Sequence, residues 1–144
     1  MQPLNCILLI DRDNINNYVS QRLILKNKLS NNVQITSSCK EAIEFIQRNF
    51  LKQGKFPQLI LMESNIRFEQ DDDYKYLADF IGSHKNEVQI AMLTNIIDHK
   101  DLDRIKSSGV DYILNKPLRN EDIINIVKHF QSRKFSCKSL FILN

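Results

Sequence analysis

The chain has 144 residues, 42% hydrophobic and 26% charged, with three Gly and three Pro. That is room for one domain able to bury its own core, no second domain is expected, and disordered and fibrous chains are excluded. The formal net charge of +3 comes from Lys and Arg interspersed with acids, so neither the basic stripe of a nucleic-acid binder nor a partner of that class is expected.

The first apolar run, Cys6–Ile10, is short and ends at Asp11. It reads as a strand rather than a leader, no later stretch reaches membrane-spanning length, and the cytoplasm is the expected compartment. Ile15, Val19 and Leu23 then recur at helical spacing and mark the expected buried face of a first helix. Val33–Thr36 reads as the second strand. Ser38-Cys39-Lys40-Glu41 has the Ser-x-x-Glu form of a capping box, and Ala42, Phe45 and Ile46 follow as one helical face.

Leu59–Met62 is the third strand, and Tyr74, Leu77, Ala78 and Ile81 make the third helix. Negative charge at Glu69, Asp71, Asp72 and Asp73 suits the positive end of that helix, and it lacks the spacing of a calcium loop. Ile90–Leu93 is the fourth strand. A helix over Asp98–Ser108 turns Leu102 and Ile105 inward and stops at Gly109, where a left-handed residue is expected. Tyr112–Leu114 is the fifth strand. Asn120 is the expected cap of a last helix with Ile123, Ile126, Val127 and Phe130 on its inner face.

Five short strands, three of them wholly apolar, alternating with amphipathic helices predict an α/β fold: a (βα)5 three-layer sandwich around a parallel sheet covered on both faces. The domain is expected over residues 1–134. The tail 135–144 carries Leu140-Phe141-Ile142-Leu143 and is expected to pack on the domain or, less favoured, to add as a strand to a partner. Cys6, Cys39 and Cys137 form no close pair and read as free thiols in a reducing compartment; His84, His99 and His129 lack ligand spacing and read as surface residues.

Ligands of open parallel sheets bind beyond the carboxyl ends of the strands. The residues leaving the five strands are Asp11-Arg12-Asp13, Ser37-Ser38, Glu63-Ser64-Asn65, Thr94-Asn95 and Asn115-Lys116-Pro117. A phosphate-cradling loop of the flavodoxin type is excluded, because Asp11 and Asp13 are too acidic for it.

The ordered segments ILLIDRDNIN, PQLILMESNI, VQIAMLTN and GVDYILNKPL resemble the receiver domain of two-component response regulators from the first strand to the last helix. The resemblance implies a flavodoxin-like sheet of order 2-1-3-4-5 and a set of site residues. Asp11 matches the first of two acids that hold Mg²⁺, Thr94 the hydroxyl residue, Lys116 the phosphoryl-binding lysine, and Tyr112 the aromatic residue that turns inward when the Thr moves. Two positions depart from the pattern: Arg12 replaces the second acid, and Glu63 replaces the phosphoacceptor Asp. The stretch after Glu63 also lacks the usual Pro and Gly and is about two residues longer than the family loop.

Mg²⁺ needs several oxygen ligands in near-octahedral array, so Arg12 implies loss of the metal and no cofactor is expected. Its guanidinium is instead expected to pair with Asp11 and Glu63. The expected function is that of an atypical, phosphorylation-independent protein-binding module without enzyme activity. It would meet a histidine kinase or a downstream target through the face of helix four, strand five and helix five, with a homodimer left open. The alternative is a receiver still phosphorylated by a histidine kinase.

Overall fold

A computed structural model describes residues 2–63, 72–95, 99–132 and 141–143. Six parallel strands form one sheet: β1 Ile7–Ile10, β2 Val33–Thr36, β3 Leu59–Glu63, β4 Gln89–Thr94, β5 Tyr112–Asn115 and β6 Phe141–Leu143, in the order β2-β1-β3-β4-β5-β6. The first five run in the expected order 2-1-3-4-5. Strands β1, β3 and β4 are buried at every position, as unbroken apolar runs require when helices cover both faces.

Five helices cover the sheet: α1 Asn14–Lys26, α2 Cys39–Gln53, α3 Asp72–Ile81, α4 His99–Ser107 and α5 Asn120–Ser132. Alternation along the strands divides the core in two. Leu8, Ile10, Ile60, Met62, Ile90, Met92 and Ile113 face α2, α3 and α4, where they meet Ala42, Ile46, Leu77 and Ile105. Ile7, Leu9, Leu59, Leu61, Ala91, Tyr112 and Leu114 face α1 and α5, against Ile24, Ile123, Ile126 and Val127. No helix among the described residues is long and apolar enough to cross a membrane.

The helix ends show which local signals were sufficient. The Ser38 hydroxyl accepts from the Glu41 amide at 3.1 Å, as a capping box requires. The Glu41 carboxylate reaches one residue further back than expected, to the amide and hydroxyl of Ser37, both at 2.9 Å. Gly109 has φ +93 after α4, the left-handed conformation for which its missing side chain is suited.

Three expectations are corrected. Helix α1 does not bury Ile15 and Val19, which are 72% and 48% exposed; its inner face is Asn17, Ser20 and Ile24, with Leu23 half-buried. Apolar residues are spread round the helix among Asn, Ser, Gln, Arg and Lys, so periodicity could not choose its inner side; Asn17 turns inward because its amide donates to the Asp11 carbonyl at 2.9 Å. Asn120 does not cap α5: the first helical bonds, from Asp122 and Ile123, run to the Arg119 carbonyl, and the Asn120 side chain instead accepts from Asn27 at 3.0 Å, tying α5 to the end of α1. His129 is half-buried and lies edge-on to Tyr112 rather than standing on the surface.

The tail joins the chain's own sheet: β6 pairs with β5 in the register Tyr112↔Phe141, Ile113↔Ile142 and Leu114↔Leu143. Cys6 and Cys39 are buried, with no disulfide between them. His99 begins α4, while Cys137 and the loop at 64–71 lie outside the described residues.

Candidate functional site

The order of the sheet reverses between β1 and β3, and their carboxyl ends bring Asp11 and Glu63 together. Lys116 follows β5 and reaches back across the end of β4. Its Nζ donates to Glu63 Oε1 at 2.6 Å, and both side chains are largely shielded from solvent. The Lys116 amide donates to the Thr94 carbonyl at 3.0 Å, which fixes the lysine backbone against β4. The Lys116–Pro117 peptide bond is cis.

Asp11 is 8% exposed and accepts from the Asp13 amide at 2.8 Å. Its carboxyl is pushed up to about 6, first by burial and then by the hydrogen bond and negative charge of Glu63, while the Asp13 amide and the Asn16 side chain pull the other way. Burial also pushes Glu63 upward, but the bonds from Asp11 and Lys116 and the charges of Lys116 and Arg12 outweigh it and leave its carboxyl below the usual range. Below about pH 6 the proton therefore sits on Asp11, which donates it to an ionised Glu63, and Lys116 balances the remaining charge.

Arg12 does not make the expected two-pronged contact. It is exposed and acts on Glu63 only through space, as a nearby positive charge. The reason is local: Asp13 caps α1, its carboxylate accepting from the Ile15 amide at 2.8 Å, and Arg12 is left on the outer side of the turn. Lys116 fills the cationic place that Arg12 was expected to take.

Thr94 is buried, with no hydrogen bond to Glu63 among the described residues. Glu63 continues the pleat of Leu59 and Leu61, whereas Thr94 continues that of Ile90 and Met92, so the two leave adjacent strands on opposite sides of the sheet.

The same parity corrects the expectation for Tyr112. The ring lies on the α1 and α5 side, 2% exposed, with its hydroxyl bonded to Gln89 Oε1 at 2.7 Å and to His129 Nδ1 at 2.5 Å. Thr94 faces the other side, so Tyr112 cannot turn into space that Thr94 vacates. The β5 residue on the Thr94 side is Ile113, fully buried among Met92 and Ile105. The signal that could have found it is spacing: counting back from Thr94↔Asn115 in steps of two reaches Ile113.

No family profile and no curated protein matches this sequence. Solved structures do. A two-component response regulator from Cytophaga hutchinsonii superposes with a TM-score of 0.73 at 22% identity, over 90% of this chain and 98% of that one. The fold is that of response-regulator receivers. A receiver protein from Dyadobacter fermentans gives 0.69 at 18% identity, over 88% and 97% of the two chains. A chain in the Saccharomyces cerevisiae co-crystal of the histidine phosphotransfer protein Ypd1 with the receiver domain of its downstream regulator Ssk1 gives 0.69 at 19% identity, over 93% of each.

On this receiver fold Asp11, Glu63, Thr94 and Lys116 all occupy the strand-end site. Asp11, Glu63 and Lys116 form one hydrogen-bonded group, and Thr94 touches it only through its backbone. Asn17, which sequence reading did not single out, holds the first acidic residue from beneath, and Asp13 holds it from beside.

Proposed function

We propose that this chain is an atypical receiver that binds a protein partner in a two-component signalling pathway without being phosphorylated. The observation that carries this reading is the 2.6 Å ion pair between Lys116 and Glu63. In it, the lysine that would hold an incoming phosphoryl group is already neutralised by the residue that would accept one.

The donor set does not suit Mg²⁺. Asp11 keeps its proton to about pH 6 and Glu63 is paired with Lys116. Asp13 is committed to the α1 cap, and the next candidate ligand position is the cation Arg12. A hard divalent ion needs several free oxygen ligands, and phosphoryl transfer relies on it for charge compensation.

Glu63 supplies a single negative charge where a phosphorylated side chain supplies about −1.5 to −2. It has drawn in Lys116 but not the Thr94 hydroxyl, so the group acts as a fixed clamp and not as a toggled switch. The partner surface assigned by this reading is the face of α4, β5 and α5. The superposable yeast receiver chain, crystallised with its phosphotransfer protein, supports a protein as the class of partner. The cytoplasm is the compartment this reading assigns, consistent with Cys6 and Cys39 being buried with no disulfide between them.

The test is incubation with a small phosphodonor and Mg²⁺, followed by intact mass measurement. The parent should gain nothing. The double variant Arg12→Asp with Glu63→Asp should gain one phosphoryl group, because Asp11, Thr94 and Lys116 keep the residue types that the receiver family uses at those positions. Uptake by the parent would restore the reading as a receiver phosphorylated by a histidine kinase.

A further inference from the structure

In a five-stranded sheet of this order, β5 would present a free edge between α4 and α5. Here that edge is filled. Phe141–Leu143 lies parallel to β5 through three residue pairs, and β6 is itself the outermost strand, with no neighbour on its other side among the described residues.

The two sides of β5 differ in strength. Toward the core it pairs with β4 over four residues, Tyr112, Ile113 and Leu114 are at most 2% exposed, and the Tyr112 hydroxyl is tied to Gln89 and His129. Toward the edge it holds a three-residue strand. Short segments paired on one side belong to the part of a protein that opens most readily. When β6 leaves, β5 stays in place and presents a row of unpaired backbone groups, a template for another strand.

We propose that the β5 edge is a docking site for an extended apolar segment of a partner protein, laid parallel to β5, and that the chain's own Phe141–Leu143 competes for it. The segment that pairs with this edge in a defined parallel register is a run of consecutive Phe, Ile and Leu in the sequence. The partner supplies a similar run, and the affinity it experiences is reduced by the fraction of time β6 occupies the edge. The proposal rests on the reading of α4, β5 and α5 as the partner face and adds what controls access to it.

The experiment uses a labelled peptide with the sequence of residues 138–144, KSLFILN, as the probe. It is titrated against the parent, a chain ending at Ser139, and the full-length variant Phe141→Gly with Ile142→Gly and Leu143→Gly. Both variants should bind the peptide one to one, about tenfold or more tighter than the parent, the factor expected if β6 fills the edge nine-tenths of the time. A peptide with Gly in place of Phe141, Ile142 and Leu143 should not bind. Absence of binding to both variants, or equal binding to all three proteins, would overturn the proposal.

Amide exchange in the parent gives a second measurement that does not depend on the shortened chain. Protection at Phe141–Leu143 is required, and random-coil rates there would also overturn it. Phosphoryl uptake by the parent would instead overturn the phosphorylation-independent reading while leaving the edge result intact.

Discussion

Lys116 Nζ and Glu63 Oε1 stand 2.6 Å apart at the ends of β5 and β3, two strands that are not neighbours, so the contact bridges over β4. A partly desolvated pair is costly to break on one side only, because the remaining charge is left without its partner. Lys116→Met should therefore destabilise the fold by about 3 kcal/mol in urea unfolding. Adding Glu63→Gln to it should recover more than half of that loss, and independent, additive effects of the two changes would show that the pair is not coupled.

The protonation of Asp11 predicts a pH dependence with a definite sign. Its folded value of about 6 lies above the ordinary carboxyl value of 3.8, so between these limits the folded state binds more protons than the unfolded one. Stability from this group is full below the unfolded value and is lost as pH rises through about 6. Glu63 works in the opposite sense: its stabilisation is present above its ordinary value of 4.5 and is lost only as pH falls through the lower folded value. Asp11→Asn keeps a donor for Glu63 at every pH. It should abolish the decline between pH 4 and 6 and be more stable than the parent at pH 8 by about 1 kcal/mol after solvent screening. Carboxyl carbon chemical shifts should place the Asp11 midpoint near 6 in the parent.

Tyr112→Phe removes the hydroxyl that Gln89 and His129 share. The loss should be about 1–2 kcal/mol, since it leaves a buried amide oxygen without its donor. The Thr94 methyl signal should not move, because the ring is on the side of the sheet away from Thr94. Ile113→Val should cost about 1 kcal/mol through the buried methylene removed and, unlike Tyr112→Phe, should shift the Thr94 methyl signal.

Helix α1 offers a direct comparison of polar and apolar positions. Asn17→Ala should cost about 1–2 kcal/mol by removing the bond to the Asp11 carbonyl. Val19→Ser, at a position 48% exposed, should change stability by no more than about 0.5 kcal/mol. A larger cost at Val19 than at Asn17 would mean that the helix is rotated in solution.

Much of this was legible in the chain before any coordinates. Three of the strands were marked by apolar runs that do not alternate, and a sheet covered on both faces is the common way to bury such runs. The stop after α4 and the cap of α2 depend on one or two residues, Gly109 and Ser38, whose own backbone and hydroxyl chemistry suffices. The positions of Asp11, Glu63, Thr94 and Lys116 at one end of the sheet follow from each being the first polar residue after, or the last of, its strand.

What only the tertiary structure decided are matters of side and partner. A helix like α1, whose apolar and polar residues are mixed round its circumference, carries no periodic signal, so its orientation was set by a single amide reaching Asp11. Whether Tyr112 or Ile113 faces Thr94 depends on pleat parity, which inverts with one residue of register. Which cation meets Glu63 was decided by reach: Arg12, adjacent to Asp11 in sequence, is held outward by the turn that Asp13 caps, whereas Lys116, 53 residues from Glu63, arrives because the ladder of β4 and β5 carries its backbone there. The apolar tail could pair with any open edge, and it was the parallel register beside β5 that made it the sixth strand of its own sheet.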